Sequence, residues 1–399
     1  MSTELINKWL TTGLYAKIDQ QLLRPIEHKL LHGKPLCCSK GQADVIFLVD
    51  DNGTWWILKK FHSRCSLDVD YLEKIASLLP DDQGLLCGKQ RKILPKDCLS
   101  SSPNLHYDPG LNTWLEGTII MPRIEGLDWS TLADELRSGN IHLDKMQRLT
   151  LCRNLTQLIE LLEQNQCCHR DLSCGNVFID TDTWQVSLID FDSLYHTSLL
   201  MPGATTCGTS GYAAPYIWTN AGMDARISWQ LHADRFALCL LIVEFLLVEK
   251  SSKATGEGGI FEQDELKNSD GKELKVIIDT LRAKNPQAAT YLEQTIKSKG
   301  FSQCPSPQDW LNFFKTIPGL STSMSGLKPL SSINPDYFIN ILSKCRPAAP
   351  LQPIPNFKDI PKPVISLPKK MKQPVRPKPV RLPSDPWKGK TKIPIGAFK

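Results

Sequence analysis

The sequence predicts an α+β protein in which a small antiparallel sheet lobe is followed by a larger helical lobe. Three observations carry this expectation. Residues 44–61 alternate like two strands of a hairpin, with "DNG" as the turn between "DVIFLV" and "TWWILKKF". The stretch "LDKMQRLTLCRNLTQLIELLEQ" places Met146, Leu149, Cys152, Leu155, Ile159 and Leu162 at steps of three and four, the spacing of one helix face. After a Ser/Thr/Gly/Pro-rich loop, the pattern stays helical to about residue 317. Strands with one helix, then helices, give segregated layers and not an alternating parallel sheet.

In chain order, strand patterning runs over 35–61, and helical spacing returns in "VDYLEKIASLL". The section up to Leu115 is mixed, with "SSSPNLHYDPGLN" reading as a loop. "TWLEGTIIMPRI" reads as a strand running into a connector. The amphipathic helix follows, and then "NVFID" and "VSLID" form two short strands around "TDTW". The most apolar run, "FALCLLIVEFLLV" at 236–248, is too short to span a bilayer and contains Glu244, so a buried helix is expected. These readings divide the chain into an N-terminal extension (1–34), a folded domain (35–318), a connecting segment (319–345) and a tail (346–399).

Charge separates the tail from the body. Residues 346–399 hold 13 Lys and Arg against 2 Asp and Glu, a net of +11, so the remainder carries −6 of a whole-chain charge of +5. The same tail holds 13 of the 28 prolines, too many for helix or sheet, and disorder with polyproline II character is expected. A mildly acidic body argues against a nucleic-acid-binding core and leaves the tail as the only candidate for polyanion contact, read either as a solubilising, poorly ordered end or as a docking strip for an acidic partner or an aromatic groove. The 13 cysteines form no CxxC pair, and "MSTELINKWL" has neither the basic region nor the apolar run of a secretory leader. Reduced thiols in a cytoplasm are expected, with no membrane association.

The chemistry concentrates in "CCHRDLSCGNVFID", 167–180, where His169, Arg170, Asp171 and Asn176 stand just before a strand. Taken alone, this reads equally as a loop capping a buried helix or as a phosphoryl-transfer loop. In the second reading an aspartate orients the attacking hydroxyl and an asparagine five residues on reaches a metal. The rest of the chain favours the second. "LIDFDS", 188–193, follows by a hairpin's length, and "CGTSGYAAPYI", 207–217, comes next.

The order HRDxxxxN, DFx, GTxGYxAP resembles a protein kinase over roughly residues 35–318. "IIMPRIEG", the serine of HRDLS and DFD in place of DFG resemble, more narrowly, the bacterial kinase-like proteins often described with helix-hairpin-helix domains. The resemblance implies a two-lobed kinase-like fold that uses ATP and Mg2+. It makes Asp171 the aspartate that accepts the substrate hydroxyl's hydrogen bond, and Asn176 and Asp190 the metal ligands. Lys59 would contact the α/β-phosphates; it shares the inward face of its strand with Ile57, while Lys60 points to the other face. Glu73, the only glutamate between Phe61 and Pro80, would pair with Lys59. Gly41, Val45, Ile57 and Phe178 would surround the nucleotide, with Met121 at the back of its pocket and Pro122, Arg123 and Ile124 as the hinge. Structural roles fall to His169, Phe191 and Asp234, the last bracing the HRD turn.

Arg170, beside the catalytic aspartate, is expected to pair with a phosphate carried by Thr205 or Thr206 in the activation segment, or else with Asp192 as an anion already in place, while the Thr209 hydroxyl braces Asp171. Several positions depart from the family pattern. The phosphate loop "SKGQADV" keeps only Gly41 as a glycine, Ser173 stands where a lysine is usual, and Asp192 replaces the glycine of DFG. The usual buried ion pair of the APE glutamate and a late arginine reads Tyr216 and Cys304, a double change that can be nearly neutral. The implied function is a cytoplasmic protein serine/threonine kinase acting on a protein hydroxyl. Two alternatives stand beside it, a pseudokinase scaffold and a small-molecule kinase of the aminoglycoside phosphotransferase type.

Overall fold

The computed structural model describes residues 2–320 apart from 41, 63–67, 101–107, 204, 207, 221, 256–258 and 270. Gly41, nearly all of the connecting segment and the Pro-rich tail therefore lie outside the described residues. The fold is the α+β, two-lobed arrangement expected of a kinase domain, with a curled antiparallel sheet in one lobe and helices in the other.

The first lobe is built on an eight-stranded sheet. Its strands are β1 (Tyr15–Ile18), β2 (Gln21–Pro25), β3 (Cys37–Lys40), β4 (Ala43–Val49), β5 (Trp55–Phe61), β6 (Lys92–Ile93), β7 (Leu99–Ser100) and β8 (Ile119–Pro122). The order is β6-β8-β5-β4-β2-β1-β7, with β3 also paired to β4, and each neighbouring pair is antiparallel. Alternation decides the two faces. Ile46, Leu48, Trp56 and Leu58 are buried on one face, and Val45, Phe47, Ile57 and Lys59 are half-buried on the other. The buried face is covered by α1 (Ser2–Thr12), through Ile6 and Trp9, and by the later helix over Pro109–Leu115, through Leu111 and Leu115.

Two expectations need correction here. Residues 1–34 are not an extension beside the domain: α1, β1 and β2 supply part of its sheet and of its core. That segment does alternate (Ala16 and Ile18 are buried on either side of exposed Lys17, and Leu23 is buried beside exposed Arg24), but each run is too short to stand out in the sequence. The strand expected over "TWLEGTIIMPRI" begins only at Ile119. Its first residues instead finish a helix, because Asp108 caps that helix by accepting the Leu111 N–H and Pro109 occupies its first turn.

Helix α2 (Val69–Leu78) and the short α3 (Leu86–Lys89) pack at the junction with the second lobe, and α4 is the Pro109–Leu115 helix. The second lobe contains β9 (Leu127–Asp128), α5 (Trp129–Ser138), α6 (Lys145–Gln164), β10 (Cys167–Cys168), β11 (Val177–Ile179), β12 (Val186–Leu188), α7 (Ala225–Ser228) and α8 (Asp234–Leu247). It ends in α9 (Gln263–Asn268), α10 (Lys272–Lys284), α11 (Pro286–Lys297) and α12 (Pro307–Lys315). A capping box between Asp144 and Gln147 starts α6. Helix α8 is apolar almost all round because it runs through the centre of the lobe, where Phe236, Leu240 and Phe245 are fully buried. Its one acid beyond the first turn, Glu244, is fully buried, accepts bonds from Trp129 Nε1, the Tyr212 hydroxyl and the Ile260 N–H, and its carboxyl is pushed up to about 7 by burial. Among the described residues no helix is long and apolar enough to cross a membrane.

Candidate active site

The loop between β10 and β11 is held in an uncommon backbone shape. Arg170 has φ +68°, a left-handed conformation that costs a non-glycine residue roughly 1–2 kcal/mol. The cost is met by bonds to its own backbone. Asp234, at the first turn of α8 and 2% exposed, accepts the N–H of His169 at 2.6 Å and that of Arg170 at 2.7 Å. Burial pushes the Asp234 carboxyl above its ordinary range, and these two amides oppose that shift. The His169 ring contacts the Ile189 carbonyl through Nε2 at 2.7 Å and meets Phe191 edge-on, 5.0 Å between centroids. The turn so formed presents Asp171 toward the cleft.

Asp171 accepts the Thr209 hydroxyl at 2.8 Å, and its backbone carbonyl accepts Asn176 Nδ2 at 2.8 Å. Burial raises the Asp171 carboxyl, opposed chiefly by the Thr209 bond. Asn176 is thus oriented by its amide nitrogen, which leaves its side-chain oxygen as a possible ligand. The strand pair β11–β12 then delivers Asp190, also left-handed at φ +69°, to the cleft, where 35% of its side chain remains exposed. A side-chain amide oxygen and a carboxylate suit a small oxygen-seeking cation such as Mg2+, so the residues present fit that metal.

Lys59 reaches the same place from the other lobe. In the sheet it stands opposite Val45 on β4 and Ile119 on β8, and Ile57 stands opposite Met121. Val45, Ile57, Ile124 and Phe178 are half-buried, Met121 is buried, and Arg123 is half-buried with its guanidinium over the Trp55 ring at 5.0 Å. Lys60 points away, toward the Glu116 carbonyl and the Trp114 ring. The Lys59 ammonium is bonded to Asp190 Oδ1 and, at 2.5 Å, to Asp192 Oδ2. Burial pulls its pKa down, but the charges of Asp192 and Asp190 prevail and hold it above its ordinary value. Burial pushes Asp190 up to about 7 against the pull of Lys59. Asp192 is also buried, yet Lys59 and Arg91 together hold its carboxyl far below the usual range.

The expected pairing of Lys59 with Glu73 does not occur. Helix α2 turns Tyr71, Leu72 and Ile75 inward, and the 3.6-residue period then leaves Glu73 exposed. Tyr71 instead ties α2 to the loop after Asp190, its hydroxyl donating to the Leu194 carbonyl at 2.6 Å. The group that sequence reasoning missed is Arg91. It is 6% exposed, and its Nη2 donates to the second oxygen of Asp192. In "GKQRKIL" nothing distinguishes a buried cation from a surface one.

Arg170 is also differently used. Its guanidinium is buried against the Trp229 ring at 4.7 Å. It donates to the carbonyls of Ser228, Ser193, Thr206 and Ala225 and to the hydroxyls of Thr205 and Ser228. The five N–H groups of an arginine are thereby committed to neutral acceptors, and unmodified Thr205 and Thr206 already lie on it. A phosphate on either threonine would have to displace these neutral acceptors. We therefore expect intact-mass analysis of the active protein after incubation with ATP to show Thr205 and Thr206 without stoichiometric phosphate; full occupancy of either would restore the phosphate switch that the sequence suggested.

Two further departures have simple physical accounts. Ser173 is buried at 4% exposure and does not reach out as a lysine would. The Tyr216 hydroxyl lies 3.9 Å from the Cys304 sulfur and the Tyr216 ring packs edge-on against Phe301, so the two substituted positions meet as weakly polar neighbours where an ion pair would otherwise sit.

Residues 116–302 match the family model described as the protein kinase domain. The chain is 23% identical over 183 residues to the phosphorylase b kinase gamma catalytic chain, liver/testis isoform, of Mus musculus, a match covering 43% of this chain and 44% of that protein. The human counterpart is 24% identical over 186 residues. A putative serine/threonine-protein kinase B of Trypanosoma brucei brucei is 25% identical over 154 residues, 36% of this chain and 34% of that protein. The chain thus spans less than half the length of the curated relatives it matches.

Proposed function

For a chain that carries a protein kinase domain, we propose the activity of an ATP-dependent protein serine/threonine kinase. The observation that carries this reading is Asp171, held by Thr209 and facing a cleft that Lys59, Asn176 and Asp190 also enter. In this reading Asp171 accepts the hydrogen bond of the substrate hydroxyl and orients it for attack on the γ-phosphate. Lys59 binds the α/β-phosphates through its remaining N–H donor, and Val45, Ile57, Met121, Ile124 and Phe178 sandwich the base, with the backbone around Arg123 as hinge. Asn176 and Asp190 would hold Mg2+, which neutralises charge on the phosphates when bound. The protein hydroxyl as acceptor is supported by GTSGYAAP, whose Thr209 contacts Asp171. The serine/threonine-kinase name of a matched relative points the same way. The narrower likeness to bacterial kinase-like proteins rests on "IIMPRIEG", Ser173 and Asp192 and belongs to the same proposal. The ten free cysteines among the described residues support a reducing compartment.

A pseudokinase scaffold is the second reading, favoured by one observation: Lys59 is engaged by two carboxylates, one of them at the position where the family has glycine. Purified protein incubated with γ-labelled ATP, Mg2+ and a generic basic protein separates these readings. We expect label on Ser or Thr of the acceptor. ATP binding without transfer selects the scaffold, and label transferred only to a small-molecule alcohol selects the aminoglycoside-type kinase.

A further inference from the structure

The unusual acid at position 192 has a well-defined place. Asp192 lies in the turn after β12, in the second lobe, and both of its oxygens point at cations of the first. Oδ2 takes Lys59 and Oδ1 takes Arg91. The three side chains are 11%, 14% and 4% exposed respectively, so the triad is largely shielded from water. Lys59 and Arg91 are brought close by one sheet: Lys59 on β5 pairs with Ile119 on β8, and Ile119 pairs with Ile93 on β6, the strand that begins directly after Arg91. Helix α2 contributes no carboxylate to this cluster, since Glu73 is exposed and the inward Tyr71 is spent on the Leu194 carbonyl.

We propose that Asp192, anchored by Arg91, is the positioning residue that fixes Lys59 for the nucleotide phosphates, a task assigned from sequence to a glutamate on α2. The inference rests on the kinase reading for its nucleotide, but not for its ion pairs. A lysine has three N–H donors; two are committed to Asp192 and Asp190, and the third remains for phosphate. Because Asp192 comes from the same turn as Asp190, the lysine is set whenever that turn is formed, whatever the position of α2. Removing the acid also leaves Lys59 with Asp190 alone and takes from the buried Arg91 its carboxylate partner, and an unpaired buried charge is costly. The glycine usual in the family is therefore harmful here.

The test compares Asp192→Gly, Asp192→Asn, Arg91→Met, Arg91→Lys and Glu73→Ala in the full chain. We expect Asp192→Gly, Asp192→Asn and Arg91→Met each to raise KM for ATP about 10-fold or more, as charge-assisted contacts of this kind do, with a smaller change in kcat. Arg91→Lys should recover most of the loss, and Glu73→Ala should stay within about twofold of wild type. A nucleotide-free readout runs beside this, a double-mutant cycle of Asp192→Asn with Arg91→Met on melting temperature. The double variant should melt about 2–4 °C above the sum of the two single losses. Asp192→Gly with an ATP KM at or below wild type overturns the proposal, as does Glu73→Ala matching the loss of Asp192→Asn. Additive melting shifts overturn it too, as does a lower melting temperature with KM unchanged. If the wild type binds no ATP, the kinase reading fails, while a non-additive cycle still upholds Asp192 as the acid of the cluster.

Discussion

Asp171→Asn is expected to lower phosphoryl transfer by on the order of 10²–10⁴-fold while leaving the protein folded. The Thr209 hydroxyl donates to Asp171 Oδ1, and an asparagine keeps an oxygen for that bond and fills the same volume. What it loses is the negative oxygen that accepts the substrate hydroxyl. Lys59→Met should give a comparable loss for a different reason: it removes the cation between Asp190 and Asp192 and leaves their like charges to repel. That second variant should also melt earlier, whereas Asp171→Asn should not. Initial rates with labelled ATP, together with thermal melts, decide both. More than a tenth of wild-type activity in Asp171→Asn would remove that residue from the reaction.

The second large effect concerns stability. Asp234→Ala deletes the acceptor of two backbone N–H groups, those of His169 and Arg170, at a site only 2% exposed. Each orphaned buried donor costs about 1–3 kcal/mol, so a loss of about 2–6 kcal/mol is expected. Natural domains hold roughly 5–15 kcal/mol in all. The left-handed turn at Arg170 would relax as well, and Asp171 with it. Asp234→Asn keeps one acceptor oxygen and should lose less. Denaturant titration measures both, and a loss below about 1 kcal/mol for the alanine variant would show that water replaces the carboxylate.

The sequence revealed most where chemistry is written in short runs. His169, Asp171, Asn176, Asp190 and Phe191 lie within 23 residues, and the kinase resemblance carried by the order of their motifs assigned them to one site. Asp234 was legible because a carboxylate opening an apolar helix needs a partner. Lys59 could be separated from Lys60 because strands alternate, and the two ammonium groups do part to opposite faces. The partner of Lys59 was not legible. It depends on how α2 is rotated, and Tyr71 and Ile75 decide that rotation by burial. Arg91 was hidden for a related reason: whether a cation is buried depends on strands distant in sequence. The fold class followed from periodicity, but the boundary at residue 35 did not, because β1 and β2 are short strands completed only by partners from elsewhere in the chain.

The place of those first strands has a consequence for how the lobe is made. Ala16 on β1 pairs with Leu23 on one side and with Leu99 on the other. During synthesis the β1–β2 hairpin is local and can form early. Its outer edge, however, stays open until β7 has emerged, and the apolar face beneath it stays uncovered until α4 has followed. Pairings between distant strands form slowly and leave edges exposed in the meantime. The first lobe is therefore expected to be the late and aggregation-exposed step of folding, completed only once β8, which ends at Pro122, is free of the ribosome. A chain begun at residue 35 would carry that exposure permanently, since β4 would lose β2, and Trp9 would no longer fill the core.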